Sequence, residues 1–322
     1  MKLRRIYLIL LPLLMLTMAA GLCFGSAPLS LSELAAGDGT ARTILLGIRL
    51  PRVLGGFLAG VGLSAAGVLL QTVTANDLAS PNIIGINSGA GLAVILLLTL
   101  APKAAVWLPV GAFCGAFGAA LLILAAGRAF GSARSGILLL GIAVTTIFNA
   151  VISFLTLLDE GVLAQYNHFT VGSLRGLHLN DLLLPGILII CGFCAALTLS
   201  GQLRLLSLGD AAASALGVRV RALRLAALTC AAACAAAVVS FAGLLGFVGL
   251  LVPHMARALV GERPGKMLPV AALLGGCLVI LADLLGRTLF APSELPVGIL
   301  MSLIGAPYFL YLLIRRKRHA GN

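Results

Sequence analysis

The chain has 322 residues, 61% hydrophobic and 10% charged, with 22 Lys and Arg against 10 Asp and Glu. Soluble domains run at roughly 45–50% apolar and about 25% charged. This chain cannot cover a water-facing surface, which excludes a soluble enzyme or binding module and leaves an integral membrane protein. At roughly 20 residues per crossing of about 30 Å of hydrocarbon, it has room for about ten spans and none for a sizeable soluble domain. Residues 1–322 therefore read as a single transmembrane domain.

Lys2, Arg4 and Arg5 precede an apolar stretch from Ile6. The stretch is long for a signal-peptide core and lacks a clean small-x-small cleavage site, so an uncleaved first span is expected. Apolar runs bounded by charge or by Pro and Gly give ten candidates, at roughly 6–24, 53–73, 83–101, 107–127, 136–158, 182–201, 223–242, 244–259, 268–288 and 297–314. Nine are long enough to cross without further argument. The eighth, around Phe247 to His254, is short and holds Pro253 and His254, so it either crosses or re-enters. Charge decides between the two. With ten crossings and an inner N-terminus, 16 basic residues lie inside and 6 outside; with re-entry the counts become 10 and 12. The positive-inside rule selects ten crossings with both termini cytoplasmic. The net charge of +12 is thus read as topology, with no nucleic-acid partner expected.

Glycine, 39 residues in all, recurs at a spacing of four, as in Gly56/Gly60 and Gly111/Gly115. Small residues so spaced let helix backbones approach closely in lipid. The seven cysteines, an odd number, argue against a disulfide framework. Cys191-x-x-Cys194 has ligand spacing but no His or acidic company, so no metal site is expected. Gly261 to Met267 is a residue short of a phosphate loop and has Met where a hydroxyl would bind magnesium. Asp283 is the clearest acidic residue within a span, and Arg287 one turn later is placed for an i,i+4 ion pair. A membrane enzyme would need clustered catalytic groups, and a self-sufficient secondary transporter would need an ion-coupling site. Neither is evident, so energy is expected from a partner.

Four clusters then become specific. The first is Arg49-Leu-Pro51-Arg52 with Gly62, Gln71, Asn76, Leu78-Ala79, Pro81, Gly85 and Ser88-Gly89-Ala90. The second is Leu208-Gly209-Asp210-Ala211-Ala212 with Leu216-Gly217-Val218. The third is Gly246-Phe247-Val248-Gly249-Leu250 with Pro253-His254 and Arg257. The fourth is Asp283, Arg287, Glu294-Leu-Pro296-Val-Gly298 and Gly305-Ala-Pro307. In register across nearly the whole chain, they resemble the FecCD-type permease subunits of ABC importers for iron–siderophores, haem and vitamin B12.

The resemblance implies an all-α integral membrane protein of about ten transmembrane helices, with the type II ABC importer (vitamin B12 permease-like) fold. It implies a bacterial inner-membrane permease, non-catalytic itself, that pairs with a second permease copy and passes cargo along the interface. Two cytoplasmic ATPases would hold the ATP and Mg, and this chain would bind no cofactor. An extracytoplasmic binding protein would deliver the cargo, with ferric siderophore the first expectation and haem or cobalamin the alternatives.

By the same resemblance, Arg49, Arg52 and Arg287 would be exposed and dock the binding protein; the competing reading for Arg287 is a local pair with Asp283. Leu205 to Arg224 would form two short helices broken at Gly217, with Asp210 capping the first. Its residues Gly209, Asp210, Ala211, Ala212, Leu216 and Gly217 would couple to the ATPase. Thr145, Thr146 and Asn149 would face the translocation path and Ser135 a cytoplasmic gate. His168 and His178, in the outer loop, are not expected to bind metal. Two positions depart from the family pattern: Asp77, where Pro usually follows Asn, and Phe169, where Trp is usual.

Overall fold

Helices follow one another along the computed structural model, which describes residues 2–26, 39–81, 85–129 and 134–320 and contains no strand among them. They are α1 (Lys2–Cys23), α2 (Gly39–Thr43), a π-helical turn (Ile44–Arg49), α3 (Leu50–Thr74), α4 (Ile86–Leu100), α5 (Leu108–Ala129), α6 (Arg134–Thr156) and α7 (Glu160–Val171). There follow α8 (Leu179–Leu206), α9 (Asp210–Ala215), α10 (Val220–Ala242), α11 (Val248–Val260), α12 (Pro264–Thr288) and α13 (Val297–Ala320). Among the described residues, seven helical stretches are long and apolar enough to cross a membrane. Two shorter apolar helices, Ile86–Leu100 and Val248–Val260, and the apolar part of α13, Val297–Tyr311, take the three remaining expected positions. The expectation that only the eighth would be short is corrected for the third, which has 15 residues. The third helix is confined between Gly85, left-handed at φ 71°, and the break at Ala101 before Pro102.

Contacts between helices give the direction of each. On α3, Gly55 and Gly62 meet Leu182 and Ile189 in that order, so α3 is parallel to α8, and Gly56 and Gly60 meet Ile280 and Gly275, so it is antiparallel to α12. On α4, Gly89 meets Gly115 and Gly111 meets Leu97, so α4 and α5 are antiparallel. The two ends of the eighth run lie toward opposite ends of the bundle. Its upstream end is tied to the outer loop, where Leu244 N donates to the Phe169 carbonyl at 3.3 Å. Downstream of α11, Gly265 lies beside Ser200 near the opposite end of α8. The helix has only 13 residues because residues 243–246 descend without helical structure before it begins.

One helix of the outer loop was not anticipated. Asp159 caps α7, accepting from Gly161 N at 2.7 Å and Val162 N at 3.3 Å. A carboxylate followed by free N–H groups is a start signal, but the twelve residues lack the apolar stripe that marks a span.

α3 is the centre of the bundle, buried along nearly its full length and packed on α12, α10, α8 and α11. Its glycines make this possible. A Cβ at Gly60 would overlap the Gly275 backbone, and one at Gly67 would overlap the Gly249 carbonyl. Gly89 and Gly115 abut in the same way between α4 and α5. Lipid supplies no hydrophobic effect between helices, so such backbone contact is the main source of cohesion. Gly67→Ala is therefore expected to lower the yield and melting temperature of the solubilised protein. Gly118→Ala, where nothing lies within 4 Å of the added carbon, is expected to leave both unchanged. Equal behaviour of the two variants would refute this packing.

Candidate functional site

At one end of the bundle, α1 stops with the carbonyls of its last turn unsatisfied, the negative pole of the helix. Two arginines fill that need. Arg49, on the π-helical turn, donates from Nη1 to the carbonyls of Leu22 at 2.8 Å and Cys23 at 2.6 Å. Arg287, in the last turn of α12, donates from Nη2 to the Gly21 carbonyl at 2.6 Å. Arg52, one turn into α3, donates to Asp283 Oδ1 and to Glu294 Oε2, each at 2.9 Å. Arg287 Nε lies 3.4 Å from Asp283 Oδ2, the i,i+4 pair expected from sequence. Ser26 Oγ completes the cluster by donating to the second Glu294 oxygen at 2.9 Å.

This arrangement corrects the expectation of exposure. Arg49, Arg52 and Arg287 are only 3%, 6% and 2% exposed. Buried charge needs partners, and here two carboxylates and three helix-end carbonyls serve three guanidiniums. Burial raises the Glu294 carboxyl, but the Arg52 guanidinium, with the Ser26 hydroxyl and the Arg175 charge, holds it below its ordinary range. The cluster ties α1, α3, α12 and the 289–296 loop into one unit.

The opposite end of the bundle holds a second charged tie. After α3 the chain turns through Ala75, left-handed at φ 50°, and Asn76 Oδ1 accepts from Leu78 N at 2.9 Å. This Asx turn forms without the family's usual Pro. Asp77 is thereby placed 2.6 Å from Arg257 Nη1 on α11. Arg257 Nη2 also donates to Gln71 Oε1 at 3.3 Å, and Gln71 Nε2 donates to the Leu250 carbonyl at 3.3 Å.

The segment between α8 and α10 differs in detail from expectation. Only one short helix, α9, precedes the turn at Gly217 (φ 83°), and the long α10 begins three residues later. Gly209, at φ 99°, occupies the N-cap position. Asp210 stands at the first helical residue, and its Oδ1 accepts from Arg224 Nη2 at 2.6 Å. Ala213 and Val218 anchor the segment in the core, while Ala211, Ala212, Leu208 and Leu216 face outward.

The expected pathway residues divide. Thr145 turns inward, its Oγ1 3.2 Å from Ser88 Oγ on α4. Thr146 and Asn149 are exposed on one α6 face with Ile142. The Ser135 side chain lies outside the described residues. Phe169 packs beside Tyr166, with ring centroids 6.5 Å apart. His178 caps α8, its N–H donating to Asp181 Oδ2 at 2.9 Å, and His168 is exposed. No group of three or more His, Cys, Asp or Glu side chains that could hold a metal occurs among the described residues.

A bundle of apolar helices, with a charged knot at one end and a short helix at the other, is a multi-pass membrane protein. Its family follows from sequence. The model of the FecCD transport family matches residues 13–315, and the chain belongs to that family. The chain is 38% identical over 308 residues to the Fe(3+)-citrate import system permease protein YfmE of Bacillus subtilis (strain 168), covering 95% of this chain and 92% of that one. It is 40% identical over 280 residues to the hemin transport system permease protein HmuU of Yersinia pestis, covering 85% and 84%. A solved structure described as an inward-facing conformation of a putative metal-chelate type ABC transporter superposes with a TM-score of 0.87 at 30% identity, covering 97% of this chain and 99% of that one.

The charged knot makes a direct prediction. Asp283→Asn removes the carboxylate shared by Arg52 and Arg287 and is expected to cost on the order of 3–5 kcal/mol, as broken buried pairs do. It should lower the melting temperature of the solubilised chain, and adding Arg52→Gln should recover part of the loss. Strict additivity of the two substitutions would refute the pairing.

Proposed function

We propose that this chain is the permease subunit of an ABC importer that moves an iron chelate into the cytoplasm. A ferric siderophore is the first choice of cargo, with haem and cobalamin as alternatives. The carrying observation is the family match across residues 13–315, with relatives named for iron citrate and haemin. Two copies would form the pathway, and the exposed Thr146 and Asn149 on α6 support that face as its lining. Both termini would lie in the cytoplasm of a bacterial inner membrane, where the excess of basic residues falls.

ATP and Mg would be held by two separate ATPase subunits, and α9 would meet them. Its outward Leu208 and Leu216, 64% and 59% exposed, support an apolar contact with a cleft. Asp283 is held between Arg52 and Arg287, which weighs against its use as a proton relay and against a self-sufficient secondary transporter.

In proteoliposomes holding the permease with its ATPase, uptake of the ferric chelate should require ATP. Uptake driven by an ion gradient alone would reject the reading. Gly217→Val places a β-branched residue at φ 83°, a strain of about 1–2 kcal/mol. It is expected to suppress uptake while ATP hydrolysis continues; wild-type uptake would count against coupling through α9.

The outer knot is the proposed docking platform for a binding protein. Arg49 and Arg287 would hold its shape, and a partner carboxylate would reach Arg52 in competition with Glu294. Glu294→Gln removes that competitor and is expected to tighten binding-protein association, read by surface plasmon resonance. Unchanged affinity would assign Arg52 a purely internal role.

A further inference from the structure

We propose that a pocket at the outer end, between α4, α5, α7 and α10, holds the head group of an anionic phospholipid from the surrounding bilayer. The pocket encloses about 410 Å³. Its walls are apolar and include Val94 and Leu98 of α4, Leu108 of α5 and Phe169 of α7. Its polar rim carries Gln165, His168 and Arg175, all three exposed. No carboxylate lines it among the described residues. Glu294, the acid on which the Arg175 charge bears, is already bound to Arg52 and Ser26. An apolar wall beneath a cationic rim fits an amphiphile with an acidic head.

Depth points to lipid. Leu108, in the pocket wall, follows Trp107, the chain's one tryptophan, which is 60% exposed. An exposed Trp at the end of a span marks the level of the head groups. On α5 just beyond the pocket, Val110 is 46% exposed, and Leu121 and Leu122 further along are 40% and 49% exposed. The pocket therefore adjoins a helix whose outward residues face hydrocarbon. Arg175 would take the phosphate, with His168 and Gln165 as further donors, and Phe169 would lie against the first carbons of a chain.

The purified, delipidated permease is offered phosphatidylglycerol or phosphatidylcholine of identical chains, and retained lipid is counted by native mass spectrometry. A single surface cation contributes about 1 kcal/mol toward an anionic lipid, or about fivefold. Phosphatidylglycerol should be retained by about that factor over phosphatidylcholine. Arg175→Ala should abolish the preference and His168→Ala weaken it, whereas Arg42→Ala, an exposed basic residue outside the pocket lining, should leave it intact. All three side chains are exposed, so the variants keep the core. Equal retention of the two lipids, or an undiminished preference in Arg175→Ala, would overturn the proposal. So would displacement of phosphatidylglycerol by equimolar inorganic phosphate, which would assign the rim to a free anion.

Discussion

A helix bundle in lipid is held by what its backbones touch, because the surrounding chains are as apolar as the side chains. In this protein that constraint falls on α3. Gly60 against Gly275 and Gly67 against Gly249 bring three helices to backbone distance along one line. With α3 fixed, its two ends are fixed as well, and each carries charge. Arg52 near the start reaches α12, and Gln71 near the finish reaches α11. The outer knot and the inner tie are thus two consequences of one packed rod.

The two ends solve the problem of buried charge differently. Outside, three guanidiniums are matched by two carboxylates and by helix-end carbonyls, in a site with almost no solvent. Inside, Arg257 and Asp77 are partly exposed, and the pair rests on an Asx turn rather than on a helix end. The first arrangement resists rearrangement, since each group removed leaves another unpaired in low dielectric. The second is closer to water, where ion pairs contribute less and separate more easily.

Much of this was legible in sequence, and the limits were physical. Ten apolar runs predicted ten membrane segments, and charge counting favoured the crossing of the eighth, whose ends the contacts at Leu244 and Gly265 place toward opposite ends of the bundle. The Asp283–Arg287 pair was visible because a helix puts i and i+4 side by side. The Arg52–Glu294 bond joins residues 242 positions apart, and no local spacing announces it. Exposure of Arg49 and Arg52 was expected because the loop position is outside the hydrocarbon. What the sequence could not display was the open end of α1 that draws Arg49 inward. α7 was missed because a short polar-faced helix carries no span signal, although Asp159 followed by Glu160 and Gly161 was a legible start.

The turn after α3 has a consequence for inheritance. At Asp77, where the resemblance led to an expectation of proline, this chain places a carboxylate 2.6 Å from Arg257. With an aspartate present, that arginine is engaged by its own turn. The two positions are no longer independent letters. Proline at 77 would take this carboxylate from Arg257, so substitutions at the two positions are expected to occur together, recording in sequence a contact made only in three dimensions.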